Sequence, residues 1–126
     1  MPNWCNNQIK ITGDLDKMKM LVDKFKELET NNESIMGFLL GKEDRPADYA
    51  EQGWYEYNCN KFGTKWDFKY SDTNDINVSD SQISIDVMTP WAPPCEFLRS
   101  LCAMYSVHAR IHYDEPRMDL CGTEKF

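Results

Sequence analysis

No stretch of this 126-residue chain approaches the roughly 18 consecutive apolar residues that a membrane span needs. The first residues lack the basic and then apolar run of a secretory leader. Both absences predict a cytoplasmic protein away from membranes. The five cysteines, Cys5, Cys59, Cys95, Cys102 and Cys121, are odd in number, scattered and without a C-x-x-C pair. They fit neither the even framework of a small disulfide-stapled fold nor a zinc site, so reduced thiols are expected. Nucleophile elbows, phosphate-cradling glycine loops and zinc-protease helices are missing as well. No enzymatic activity, metal or cofactor is therefore expected. Internal repeats and low-complexity tracts are absent too.

An excess of positive charge is also lacking: 14 Lys and Arg face 21 Asp and Glu, a formal net charge of -7. The distribution is uneven. Through Lys26 the chain is +2, and from Glu27 onward it is -9. Long-range attraction to nucleic-acid phosphates is not expected, with a local basic patch on Lys17, Lys19, Lys24 and Lys26 as the one route to it. What is abundant is aromatic material, with four Trp, six Tyr and six Phe, enough for the one packed core that a chain of this length supports.

Hydrophobic periodicity sets out the elements. Cys5, Ile9 and Ile11 alternate with Gln8, Lys10 and Thr12, a strand that Gly13 ends. Asp14 is the expected N-cap of a helix in which Leu15, Met18, Leu21, Val22, Phe25 and Leu28 share a face. Residues 30–52 read as an irregular excursion. Tyr49, Ala50, Trp54, Tyr57 and Phe62 outline a second helix over 47–62, with Gly63 placed to stop it. Strict alternation of Trp66, Phe68 and Tyr70 with Lys65, Asp67 and Lys69 predicts a strand over 65–70. A polar loop over 71–80 then joins it to a strand carrying Ile83, Ile85 and Val87. Pro93 and Pro94 introduce a helix with Phe97, Leu98, Leu101, Cys102 and Tyr105 inward. Val107, Ala109, Ile111 and Tyr113 give a fourth strand before a polar tail.

The order β-α-(insert)-β-β-α-β, with the insert at about 30–62, predicts one α+β domain of ferredoxin-like type. Such a fold carries a four-stranded antiparallel sheet of order 4-1-3-2 with the helices on one face. Its free face would show His108, Arg110 and His112 beside Gln8 and Lys10, then Ser84 and Asp86, then Asp67. Asp86 stands two strands from the histidines, about 10 Å, too far to share a metal. Gln8, Lys10, Ser84 and Asp86 offer no ring for base stacking, so RNA binding through this face is not expected. The carboxylate pairs Glu43–Asp44 and Asp114–Glu115 fall in segments read as wet loops, unsuited to acid–base work. Cys102 reads as a small core hydrophobe and Cys121 as an exposed thiol without a catalytic partner.

Three stretches carry a resemblance: Met-Pro-Asn-Trp-Cys-Asn-Asn at 1–7, Phe-Gly-Thr-Lys-Trp-Asp at 62–67 and Thr-Pro-Trp-Ala-Pro-Pro at 89–94. Together they resemble the YubB ferredoxin-like family of phage and plasmid proteins, a domain of unknown function. The resemblance implies a ferredoxin-like fold and a mobile-element origin, and no activity. Asn3, Trp4, Lys65, Trp66, Asp67, Thr89 and Trp91 occupy its motif positions. With Trp54 they form the candidate binding set, whose rings sit at element boundaries or in the insert, where interfaces draw their anchors. Pro90 departs from the pattern and predicts a bend at the end of its strand.

The expected function is that of a small acidic accessory protein binding a host or defence-system protein, plausible as an inhibitor. An acidic surface at Asp72, Asp75 and Asp80 could imitate nucleic acid in the basic groove of a nuclease or CRISPR effector. The alternatives are a small-ligand or enzymatic site at the tryptophans and, third, direct nucleic-acid binding. Exposed edge strands are compatible with a monomer or a homodimer.

Overall fold

The computed structural model describes residues 3–118 and 120–126, so the first two positions of the 1–7 motif lie outside the described residues. Strand β1 (Trp4–Thr12) runs in the middle of a sheet. Its inward positions Cys5, Asn7, Ile9 and Ile11 are buried, whereas Asn6, Gln8, Lys10 and Thr12 are exposed. Helix α1 (Leu15–Asn31) buries Met18, Leu21, Val22, Phe25 and Leu28, the face that the sequence spacing predicts. Asp14 occupies its N-cap position without a side-chain cap bond.

The excursion after α1 holds a short helix, α2 (Ile35–Leu40), whose apolar run is almost wholly buried. A single π-helical turn, Tyr49–Gly53, then leads into α3 (Trp54–Phe62). Gly63 ends α3 at φ 86°, and a Cβ there would lie 3.1 Å from the Glu96 amide nitrogen. Conformation and close packing thus both demand glycine at this position. Strand β2 (Asp75–Val78) and strand β3 (Gln82–Pro90) form a hairpin, followed by α4 (Cys95–Tyr105), β4 (His108–Glu115) and β5 (Leu120–Lys125).

All strand pairs are antiparallel, in the order β2-β3-β1-β4-β5. The ferredoxin-like arrangement holds, but with five strands rather than four. The fifth is the segment read as a polar tail. Its side chains are exposed at nearly every position, so pairing comes from backbone hydrogen bonds that leave no hydrophobic alternation to read.

The second correction concerns residues 65–70, which form no strand despite their alternation. Side chains take two of their backbone donors, Phe68 N–H donating to Asp67 Oδ1 at 2.7 Å and Lys69 N–H to Asp72 Oδ2 at 3.0 Å, and just beyond them Ser71 N–H donates to Asn32 Oδ1 at 3.0 Å. Local polar side chains thus outcompete a ladder, leaving one isolated bridge between Ser34 and Lys69. The edge position falls to β2, inside the segment read as a loop, where half-buried Ile76 and Val78 alternate with exposed Asp75 and Asn77.

The core lies between the sheet and the helices. It joins Ile9, Ile11, Ile83, Ile85, Val87 and Ile111 to Phe25, Leu28, Met36, Phe62, Phe97 and Leu101. Burying one such side chain contributes about 1.5–3 kcal/mol, which explains why the helices share one face and the polar face of the sheet stays free. No helix among the described residues is long and apolar enough to cross a membrane.

Candidate functional site

One end of the sheet gathers most of the tryptophan-centred set. Trp4 pairs with Pro90 across β1 and β3. The Trp4 and Trp66 rings meet edge to face with centroids 6.0 Å apart. Lys65 places its ammonium 5.1 Å from the Trp66 ring centroid, a cation–π contact. Trp91 N–H donates to the Asn3 carbonyl at 2.7 Å. Asn3, Trp4, Lys65, Trp66, Thr89 and Trp91 therefore come together, although they arise from three separate stretches of chain.

Trp91 is the unusual member. Ala92 N–H donates to the Pro90 carbonyl at 2.9 Å, closing a three-residue turn with Trp91 at its centre. Trp91 has φ 71° and is 46% exposed. A γ-turn of positive φ is strained for any L-residue; such strain costs about 1–3 kcal/mol and persists only where the surroundings fix it. The bend expected from Pro90 thus falls one residue later, because Pro90 itself still pairs in β3.

Buried polar residues supply the fixing. Thr89 Oγ1 donates to the Ala92 carbonyl at 2.7 Å, and Thr64 Oγ1 to the Pro90 carbonyl at 2.9 Å. Asn7 is fully buried, and its Nδ2 donates to Thr89 Oγ1 at 2.8 Å and to the Val87 and Cys5 carbonyls, each at 3.1 Å. Thr89 is buried beneath the turn and acts as its tie rather than as a contact surface. On the other side, Asn58 of α3 donates to the Lys65 carbonyl at 3.2 Å and accepts the Tyr49 hydroxyl at 3.2 Å.

Sequence reasoning missed Asn7, Asn58 and Thr64. Asn7 carried a signal in its place among the inward positions of β1, where a polar residue needs a partner. Asn58 and Thr64 carried none that could be read without the fold.

Two candidates stand apart. Trp54 begins α3, and its ring meets Tyr55 at 5.8 Å; among the described residues no ring contact links it to Trp4, Trp66 or Trp91. Asp67 does not lie on the free face of the sheet, as the strand over 65–70 would require. Its Oδ1 accepts Met36 N–H at 2.9 Å as well as Phe68 N–H, and its Oδ2 accepts Gly37 N–H at 2.7 Å, so it caps α2. Burial pushes its carboxyl above the usual range, with the Gly37, Met36 and Phe68 amides and Lys42 pulling the other way. Asp75 holds the sheet position expected of Asp67, directly opposite Asp86.

The three loop acids stand on different elements. Asp72 caps the Lys69 amide, Asp75 sits on the sheet, and Asp80 lines a cleft against α1 with Leu15, Lys19 and Lys26.

The Asp114–Glu115 pair lies in β4 rather than in a loop, with Glu115 buried. All five cysteines are free. Cys5, under the tryptophan end, has its thiol pushed up to about 11 by burial and then by Glu115, and burial alone does the same to Cys102. Among the described residues no group of three or more His, Cys, Asp or Glu is arranged to hold a metal.

A five-stranded antiparallel sheet of this order, with the helices on one face, defines a ferredoxin-like α+β domain. The comparisons agree and go further. Residues 61–126 match the family model described as the ferredoxin-like domain in Api92-like protein. That is just over half of the chain, which belongs to this family. The crystal structure of a protein api92 from Yersinia pseudotuberculosis is similar with a TM-score of 0.56 at 10% identity, over 100% of this chain and 94% of that one. At that identity the likeness is one of fold. No curated protein matches.

Proposed function

We propose that this domain is a binding module that recognises a protein partner through the tryptophan end of its sheet. The observation that carries this reading is Trp91, a strained and half-exposed indole held at the centre of a turn by Asn3, Thr64, Thr89 and, through Thr89, Asn7. A large ring kept in solvent at a conformational cost matches the rigid aromatic anchors on which interfaces concentrate their affinity. The adjoining Trp4–Trp66 pair and Lys65 add apolar area and one cation.

The resemblance to YubB-like phage and plasmid proteins supports a mobile-element origin. The partner is then a host or defence-system protein, and inhibition is the natural consequence of covering its surface. Mimicry of nucleic acid by Asp72, Asp75 and Asp80 has less support, because these carboxylates stand on three different elements, one of them already engaged with the Lys69 amide.

Affinity capture from the native host tests the reading, with the wild-type chain and a Trp91→Ala variant as parallel baits. A protein retained by the wild type and lost from the variant supports it. Equal retention by both baits, or no specific retention by either, overturns it.

A further inference from the structure

The free face of the sheet is polar but not evenly so. Cross-strand register places Asn77, Ser84, Lys10, Arg110 and Lys125 in one row from β2 to β5. Lys10 is directly opposite Arg110, and Arg110 directly opposite Lys125, so three cations stand side by side on β1, β4 and β5. His108 flanks the row opposite Thr12. Lys10, Thr12, Gln82, His108, Arg110 and Lys125 line a cleft of about 450 Å³, with Ala109 and Phe126 as its apolar wall.

Like charges directly opposite one another destabilise an antiparallel pair, and this chain places two such pairs in succession while carrying seven more acids than bases. The ion pairs among the described residues, Lys61–Asp44 and Arg99–Glu96, involve none of Lys10, Arg110 and Lys125, although Lys10 also lines a neighbouring cleft with Asp75 and Asp86. Opposed side chains on adjacent strands have Cβ atoms about 4.5–5.5 Å apart. Three long cationic arms at that spacing can close on a single tetrahedral anion.

We propose that this cleft binds the phosphate group of a small phosphate ester. Arg110 supplies a forked pair of donors and the two lysines supply point charges. Thr12, Gln82 and His108 are within the same cleft to meet a polar substituent, and its volume falls in the range of small-molecule sites.

A long nucleic-acid strand fits less well. The same face turns acidic at Asp75 and Asp86 on β2 and β3, and its positions Gln8, Lys10, Ser84, Asp86, Arg110 and His112 around the cationic row present no row of aromatic rings on which successive bases could stack. The site is distinct from the tryptophan end and does not depend on the function proposed for it.

The test uses the full chain at constant ionic strength and follows amide shifts or heat on titration with inorganic phosphate, 5′-AMP, adenosine and a 5′-hydroxyl single-stranded oligonucleotide. Phosphate and 5′-AMP are expected to bind in the millimolar range or tighter, and adenosine not at all. Arg110→Gln should weaken 5′-AMP at least about tenfold, whereas Lys17→Gln on α1 leaves it unchanged. Without ligand, Arg110→Gln should raise the melting temperature, because it removes both like-charge contacts. The proposal is overturned if adenosine binds as well as 5′-AMP, if Arg110→Gln leaves affinity unchanged, or if the oligonucleotide binds more tightly than 5′-AMP.

Discussion

Replacing Trp91 by alanine and, separately, by glycine inverts the usual order of stability of those two residues. Both variants discard the same half-exposed indole, so the packing loss cancels in the comparison. In ordinary helix or strand backbone, glycine is about 0.5–1 kcal/mol less stable than alanine because its unfolded chain is freer. At φ 71°, an alanine keeps a strain of about 1–3 kcal/mol that glycine does not feel. The balance leaves Trp91→Gly more stable than Trp91→Ala by about 1 kcal/mol, or about 3–5 °C in a domain of this size. Urea unfolding of the two variants, monitored by the remaining tryptophans, measures the difference. Equal stability, or an advantage for alanine, would refute the claim that the turn is strained, and with it the argument that the indole is held out for a partner. Because both variants lack the ring, each should bind that partner at least about 30-fold more weakly.

Asn7→Ala removes the donor that ties Thr89 to β1 and β3 and strips partners from buried acceptors. A loss of about 2–3 kcal/mol in chemical unfolding is expected, and a cost under about 0.5 kcal/mol would show the network to be dispensable. Asp67→Asn keeps an oxygen for Met36 and Phe68 but turns an amide donor toward Gly37 N–H, at a cost of about 1–3 kcal/mol.

The pH dependence of that cost has a definite sign. The folded carboxyl of Asp67 is raised by burial, so its contribution is fullest below the unfolded value of about 3.9 and is lost as pH rises through the folded value. The stability gap between wild type and Asp67→Asn should therefore narrow from about pH 4 upward; a gap that widens would show that the amide donors outweigh desolvation.

Much of the fold was legible because its information is local. The spacing of Met18, Leu21, Val22, Phe25 and Leu28 fixes the buried face of α1, and the alternation in β1, β3 and β4 marks the core of the sheet. Alternation failed where something else satisfied the backbone. Residues 65–70 have the right pattern, but Asp67 and Asp72 claim the Phe68 and Lys69 amides. Strand β5 lacks the pattern and forms because β4 offers an unpaired edge.

By itself the sequence determined the ferredoxin-like order of the main elements and the residue types that reach the tryptophan end, since periodicity and motif spacing are properties of the chain read in one dimension. Only the tertiary structure decided that Trp91 is strained and exposed, that Thr89 and Asp67 serve as internal ties, and that Lys10, Arg110 and Lys125 form one row. Each of these depends on which backbone hydrogen bonds to which, and register brings together residues that the chain keeps up to about a hundred positions apart.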